Sequence, residues 1–187
     1  SFPTRRSSDL GATLAVRSVA IIERLLALPE VAAARRAALF FPMEDRGEVD
    51  LRALDAHFRA RGVDVYYPTL IQGDDGVAPS PGFARVGSTA ELVENGHLFL
   101  EPPSAAPAAE GEELDVILVP ALGVSEQGHR LGYGSGFYDR ALPRFSPPAC
   151  AIVVAFDFQL LAELPVMERD VACDVVVTDA RVIRPRP

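Results

Sequence analysis

Between residues 37 and 67 the chain passes from a short apolar run into an amphipathic helix and back into an apolar run, an order that few folds accept. Ala37 to Phe41 reads as a strand closed by Pro42. Asp50 then caps a helix in which Leu51, Leu54 and Phe58 share one face before Gly62 stops it, and Val63 to Tyr67 follows as a second strand. A strand, helix, strand unit at this spacing sets its two strands side by side in parallel with the helix packed across them. A parallel sheet needs cover on both faces. The expectation is an α/β fold: an open, mainly parallel sheet with helices on both faces, in three layers.

The rest of the chain supplies the other parts of such a sheet. Ala12 to Leu28 carries apolar residues at helical spacing, with Val19, Ile22 and Leu26 on one face, Arg17 and Arg24 toward solvent, and Pro29 as the stop. Val116 to Val119 is the continuous apolar run of a strand buried on both sides. A long glycine-containing loop follows, then a helix starting near Gly136, then strands at Ala151 to Phe156 and Val175 to Thr178. The middle, Gln72 to Glu113, is less regular. It holds a turn cluster at Gly73-Asp74-Asp75-Gly76, a short strand at Phe83 to Val86, and a Pro/Ala/Glu stretch from Glu101 to Glu113 that reads as a surface loop or linker. No internal repeat is visible.

A chain of 187 residues with 49% hydrophobic and 24% charged residues is sized for one domain with one core. The opening SFPTRRSSDL shares neither periodicity nor composition with the rest, so residues 1–11 read as a foreign segment and 12–187 as the single domain. With 26 acidic against 18 basic side chains the net charge is −8, which argues against nucleic acid and requires any bound phosphate to be held by local features. Cys150 and Cys173 lack metal-ligand spacing and read as two buried thiols, which suits a cytoplasmic protein. No apolar run approaches the roughly 18 residues of a membrane span, and no signal peptide opens the chain.

Chemistry concentrates in Asp115-Val-Ile-Leu-Val-Pro120, in Ala121 to Gln127, and in Gly128-His-Arg-Leu-Gly-Tyr-Gly-Ser-Gly-Phe-Tyr-Asp-Arg140. In an open α/β sheet ligands bind beyond the carboxyl ends of the strands, where this loop would lie. Glycines at 132, 134 and 136 let backbone N–H groups approach an anion, and the following helix points its positive end at the same place; the alternative is a flexible loop. The pattern is neither a P-loop nor the dinucleotide fingerprint in its usual spacing. Arg130 and Arg140 could neutralise phosphate, and Asp139 is an oxygen ligand suited to Mg²⁺, or else a helix cap or partner of Arg140. Tyr133, Phe137 and Tyr138 offer faces for a pterin or adenine ring, or pack into the core.

Leu118-Val-Pro120 followed by Gly128 to Arg140 resembles the signature of 5-formyltetrahydrofolate cyclo-ligases. The resemblance runs from about Ala12 to Val182. It takes in Phe40-Phe41-Pro-Met-Glu-Asp-Arg-Gly-Glu48-Val-Asp50, Glu101-Pro102, Ala155-Phe-Asp-Phe-Gln159, Leu164-Pro165 and Asp170. It implies a sheet related to those of sugar-phosphate isomerases and CoA transferases. It also implies an ATP-dependent reaction in which the N5-formyl oxygen is phosphorylated, N10 attacks the activated carbon, and phosphate leaves to form the 5,10-methenyl bridge. Such chemistry needs charge neutralisation and alignment more than a covalent nucleophile.

Carried over by position, the resemblance gives the triphosphate to Arg130, Leu131, Gly132, Tyr133, Gly134, Ser135, Gly136, Phe137 and Tyr138. It gives Mg²⁺ to Asp139 and Asp170, folate to Phe41, Glu48 and Tyr138, and the reaction itself to Arg130, Tyr138 and Asp139. A carboxylate such as Glu48 can bind the donor face of a pterin, although it also reads as an exposed acid near a helix start; Phe41 also reads as core. His57 and His97 fall outside the motif, and His129 lies near it without an assigned role. The sequence departs from the family pattern in two places. The basic helix that opens the family is replaced by SFPTRRSSDL, where Arg5 and Arg6 do not fall into register, and Thr69 stands after Tyr67-Pro68 where members carry a basic residue. The expected partners are a reduced formyl-folate and ATP, with no nucleic acid or membrane and a monomeric chain. The rival readings are a folate- or nucleotide-binding domain without turnover, and a sugar-phosphate isomerase or acyl-CoA transferase.

Overall fold

A computed structural model of the chain describes residues 7–43, 46–73, 78–94 and 99–185. The elements run α1 (Ser7–Leu26), α2 (Pro29–Ala33), β1 (Arg36–Ala38), α3 (Arg52–Ala60), β2 (Asp64–Ile71) and β3 (Ser80–Arg85). They continue through β4 (Val93–Glu94), β5 (Leu100–Glu101), β6 (Val116–Pro120), β7 (Gly123–Ser125), β8 (Arg130–Leu131) and α4 (Phe137–Phe145). The last are β9 (Cys150–Val154), β10 (Leu160–Leu161), β11 (Val175–Val177) and β12 (Val182–Ile183). Among the described residues seven strands form the main sheet in the order β12-β11-β9-β6-β1-β2-β3. Every pairing between β2 and β11 is parallel, and the two edges, β3 on β2 and β12 on β11, are antiparallel. The mainly parallel α/β sheet expected from the strand, helix, strand unit is the one observed.

Alternation along the strands divides the core in two. Ala37, Val65, Val116, Leu118, Ile152, Val154, Val175 and Val177 face Ile21 and Leu25 of α1, Val31 of α2, and Leu54 and Phe58 of α3. Their neighbours Ala38, Tyr66, Ile117, Val119, Ala151, Val153 and Val176 face Ala141, Leu142 and Phe145 of α4. Residues 116–119 are wholly buried, which is why this strand reads as a continuous apolar run rather than an alternating one. Each fully buried Val, Leu or Ile contributes about 1.5–3 kcal/mol relative to exposure.

The helix ends follow local chemistry. Asp50 accepts the Arg52 N–H at 2.9 Å at the start of α3, and at its end the Gly62 and Val63 N–H groups return to the Arg59 and Phe58 carbonyls at 3.0 Å each. Pro29 does more than stop α1: a proline lacks only an N–H that a first turn leaves unpaired, and it opens α2. The inward stripe of α1 differs from the expected one. Ser18, Ile21, Ile22 and Leu25 are buried while Val19 is 55% exposed. The polar Ser18 belongs to that stripe because its hydroxyl accepts the Asp50 N–H at 3.0 Å. The helix also begins at Ser7, ahead of Ala12.

The stretch Glu101–Glu113 is more than a surface loop. Arg85 N–H donates to the Pro107 carbonyl and Ala109 N–H to the Phe83 carbonyl, so this stretch lines β3, and Glu101 and Ala109 are buried. The expected turn at Gly73-Asp74-Asp75-Gly76 lies largely outside the described residues.

Candidate active site

The parallel strands present their carboxyl ends to one edge of the sheet, and the loops that leave β1 and β6 there carry the residues singled out above. The loop after β1 holds Phe41, half-buried and packed against the core, and Glu48, also half-buried. It closes on itself through two bonds: Met43 N–H donates to Glu48 Oε2 at 2.8 Å, and Arg46 N–H to the Met43 carbonyl at 3.0 Å. One oxygen of Glu48 is thereby fixed by backbone.

Beyond β6 the chain turns into β7 and β8, which with β10 make a small second sheet. Its hairpin is held by Gly128, whose φ of +82° suits glycine and whose absent side chain admits the Cys173 backbone. Any Cβ there would collide with the Cys173 carbonyl, and Cys173 N–H donates to the Gly128 carbonyl at 3.0 Å. The contact ties the β7–β8 hairpin to the segment that carries Asp170 and Val171.

Arg130, at the start of β8, is only 4% exposed along its side chain. Its Nη2 donates to Asp139 Oδ1 at 2.8 Å and its Nη1 to the Val171 carbonyl at 2.6 Å, while Val171 N–H donates to the same Asp139 oxygen at 3.1 Å. The partner of Asp139 is therefore Arg130 and not Arg140. Arg140 instead folds back on the turn, donating to the Gly136 and Ser135 carbonyls at 3.3 Å each.

The glycine turn itself is open. A Cβ built at Gly132, Gly134 or Gly136 meets nothing within 4 Å, and φ is +89° at Gly134 and +62° at Gly136. Gly136 precedes α4 without a side-chain cap, so among the described residues no capping side chain engages the first N–H groups of that helix. Space and donors thus occur together at 132–136, as a bound anion requires.

The aromatic residues divide between the two readings left open. Phe137 packs edge-on against Phe83, Phe99 and Tyr138, with ring centroids 5.1–6.2 Å apart, and Phe83 reaches Tyr138 at 6.3 Å. Phe137 and the Tyr138 ring are partly buried and pack against the core. The Tyr138 hydroxyl, however, is buried without a hydrogen-bond partner among the described residues. Burial raises its pKa above the ordinary tyrosine value, and the neighbouring Glu48 charge pushes it the same way, so it stays a neutral donor. An orphaned buried hydroxyl that feels the charge of Glu48 fits a polar ligand.

The loops after β1 and β6 meet. The Arg46 guanidinium lies 4.8 Å over the ring of Tyr133, in the middle of the glycine turn. Sequence reasoning gave Arg46 no role, although it lies within the quoted Phe40–Asp50 motif; only the contact with Tyr133 singles it out.

Asp170 is partly buried, and its Oδ2 accepts the Met167 N–H at 2.8 Å. Among the described residues no three His, Cys, Asp or Glu side chains gather as a metal cage. Mg²⁺ used with ATP is usually held by one or two carboxylates together with substrate phosphates and water. Among the described residues, hydrogen bonds engage Oδ1 of Asp139 and Oδ2 of Asp170, which leaves one oxygen on each. His57 is exposed, His97 lies outside the described residues, and His129 Nδ1 is buried without a partner among them. Both cysteines are free; burial raises the Cys173 thiol to about 11, which makes it unreactive. No helix among the described residues is long and apolar enough to cross a membrane.

Comparison with known proteins matches this arrangement to one family. The model of the 5-formyltetrahydrofolate cyclo-ligase family matches residues 4–179, which takes in part of the opening segment. A 5-formyltetrahydrofolate cyclo-ligase of Escherichia coli K12 is 33% identical over 161 residues, 85% of this chain and 86% of that protein. One from Mycolicibacterium smegmatis is 49% identical over 82 residues, 44% of this chain and 42% of that protein. The solved structure of Aquifex aeolicus 5,10-methenyltetrahydrofolate synthetase superposes with a TM-score of 0.75 at 29% identity, covering 96% of this chain and 93% of its own. The sheet, the open glycine turn and these matches agree: the chain belongs to the 5-formyltetrahydrofolate cyclo-ligase family.

Proposed function

We propose that the glycine turn 132–136 and the first turn of α4 hold the triphosphate of ATP, that Glu48 and the Tyr138 hydroxyl bind the reduced folate, and that Asp139 and Asp170 meet Mg²⁺. The activity is that of the family, ATP-dependent conversion of 5-formyltetrahydrofolate to 5,10-methenyltetrahydrofolate. The observation that carries the residue assignment is the meeting of the two loops, with Arg46 on Tyr133, together with an unsatisfied Tyr138 hydroxyl that feels the charge of Glu48.

The division of labour follows from what each group can do. Glu48, pinned through one oxygen, has a carboxylate suited to the donor edge of a pterin, and Tyr138 can donate one hydrogen bond without ionising. Phe41 is apolar wall beside Glu48. The open turn supplies backbone N–H groups that favour phosphate without bringing net charge into the chain. Mg²⁺, when bound with ATP, supplies charge neutralisation for the phosphates. Arg130 acts mainly by holding Asp139 and the Val171 segment in place, since it is nearly buried.

The partners are small molecules, formyl-folate and ATP, met by a monomeric chain in the cytoplasm; the net charge of −8 disfavours nucleic acid. The test is absorbance of methenyl-folate formed from 5-formyltetrahydrofolate with MgATP present or omitted. Glu48→Gln is expected to raise the folate KM at least tenfold, or about 1.4 kcal/mol, with the ATP KM unchanged. A folate KM equal to wild type would remove Glu48 from the site.

A further inference from the structure

We propose that Arg46 is a phosphate-binding residue: carried on the loop that bears Glu48, it supplies the uncommitted positive charge that the glycine turn lacks. The inference rests on the reading of 132–136 as the triphosphate site, and it adds a residue from outside that segment. Arg130 is 4% exposed and committed to Asp139 and the Val171 carbonyl. Arg140 is turned onto the carbonyls of Ser135 and Gly136. Arg46 is exposed, and among the described residues its guanidinium meets no carboxylate and no carbonyl. It rests on the Tyr133 ring, a contact that holds the charge over the turn while leaving the N–H edges of the fork available.

The position also explains how one loop could serve two substrates. Arg46 and Glu48 are separated by Gly47 alone, so a phosphate drawn to Arg46 steadies the backbone that aims Glu48. A chain with a net charge of −8 gains most from such a local cation, because its overall field opposes a polyphosphate.

The experiment is calorimetric titration of wild type, Arg46→Gln and Arg46→Lys with MgATP and, separately, with inorganic tripolyphosphate, beside KM values for ATP and folate. Arg46→Gln is expected to weaken both phosphate ligands by roughly five- to tenfold, the low end for a charge-assisted hydrogen bond because the group is solvated. Arg46→Lys should retain most of the affinity, the melting temperature should not move, and the weakening should shrink as salt is raised. Unchanged binding of both ligands to Arg46→Gln overturns the proposal. So does a loss confined to the folate KM, which would put Arg46 on the folate's carboxylates. Because binding is read without turnover, an inactive wild type whose tripolyphosphate affinity still falls in Arg46→Gln would sink the assigned activity and leave the role of Arg46 standing.

Discussion

Replacing Asp139 with alanine tests two things at once, and the structure says how to separate them. Asp139 Oδ1 accepts from Arg130 Nη2 at 2.8 Å and from Val171 N–H at 3.1 Å, so its loss leaves a side chain that is 4% exposed with the Val171 carbonyl, a weak 3.9 Å bond to Cys173 Sγ and, among the described residues, no counter-charge. Removing one partner of a fully buried pair costs about 3–5 kcal/mol; because Asp139 is 29% exposed and water can reach the gap, about 2–3 kcal/mol is the better figure. For a chain of this size that lowers the melting temperature by roughly 5–10 °C. Asp139→Asn keeps an oxygen for both donors and loses only the charge, which costs about 1 kcal/mol. Urea unfolding with an unchanged slope is the assay, with Arg130→Met and the double variant closing a cycle whose coupling should reach about 2 kcal/mol. Unfolding of Asp139→Ala at the wild-type urea concentration would mean that the buried Arg130 does not depend on Asp139. In practice, an inactive Asp139→Ala reports lost structure as readily as lost Mg²⁺, whereas a stable, inactive Asp139→Asn reports the metal.

Two further outcomes concern tyrosines. Tyr138→Phe removes a buried hydroxyl that lacks a partner, so stability should hold or rise by up to about 1 kcal/mol while folate affinity falls severalfold; a loss of stability would mean the hydroxyl is satisfied in solution. At high pH, burial keeps the Tyr67 and Tyr138 hydroxyls protonated in the folded chain, while their unfolded counterparts ionise near pH 10. The folded state then binds more protons, so stability that is complete below about pH 10 declines above it, by at most about 1.4 kcal/mol per pH unit for each tyrosine. Urea midpoints between pH 9 and 11 should fall, and fall less steeply in Tyr67→Phe, which also gives up a 2.9 Å hydrogen bond to Asp55. A curve that is flat across that range would contradict it.

How much of the molecule was legible depends on whether a feature is written in a pattern or in a partner. The parallel sheet was legible because burial on both faces imposes uninterrupted apolar runs, as at Val116–Val119, and because the crossover through α3 leaves one helix face apolar. The stripe of α1 was misread because Ser18 is polar yet faces inward, its burial depending on an Asp50 N–H distant in sequence. The docking of residues 101–113 on β3 was hidden for the same reason, since the backbone bonds of Pro107 and Ala109 go to Arg85 and Phe83 while the composition of the stretch is that of a loop. At the site, glycine spacing announced the turn, and the resemblance named its neighbours. What no spacing revealed is which charges are already spent. Arg130 and Arg140 look from sequence like the two cations of a phosphate site, but one is buried on Asp139 and the other turned onto backbone carbonyls. If the proposed site is to balance phosphate charge in an acidic chain, the cation comes from another loop, and the Arg46 guanidinium lies 4.8 Å over Tyr133, where that proposal requires one.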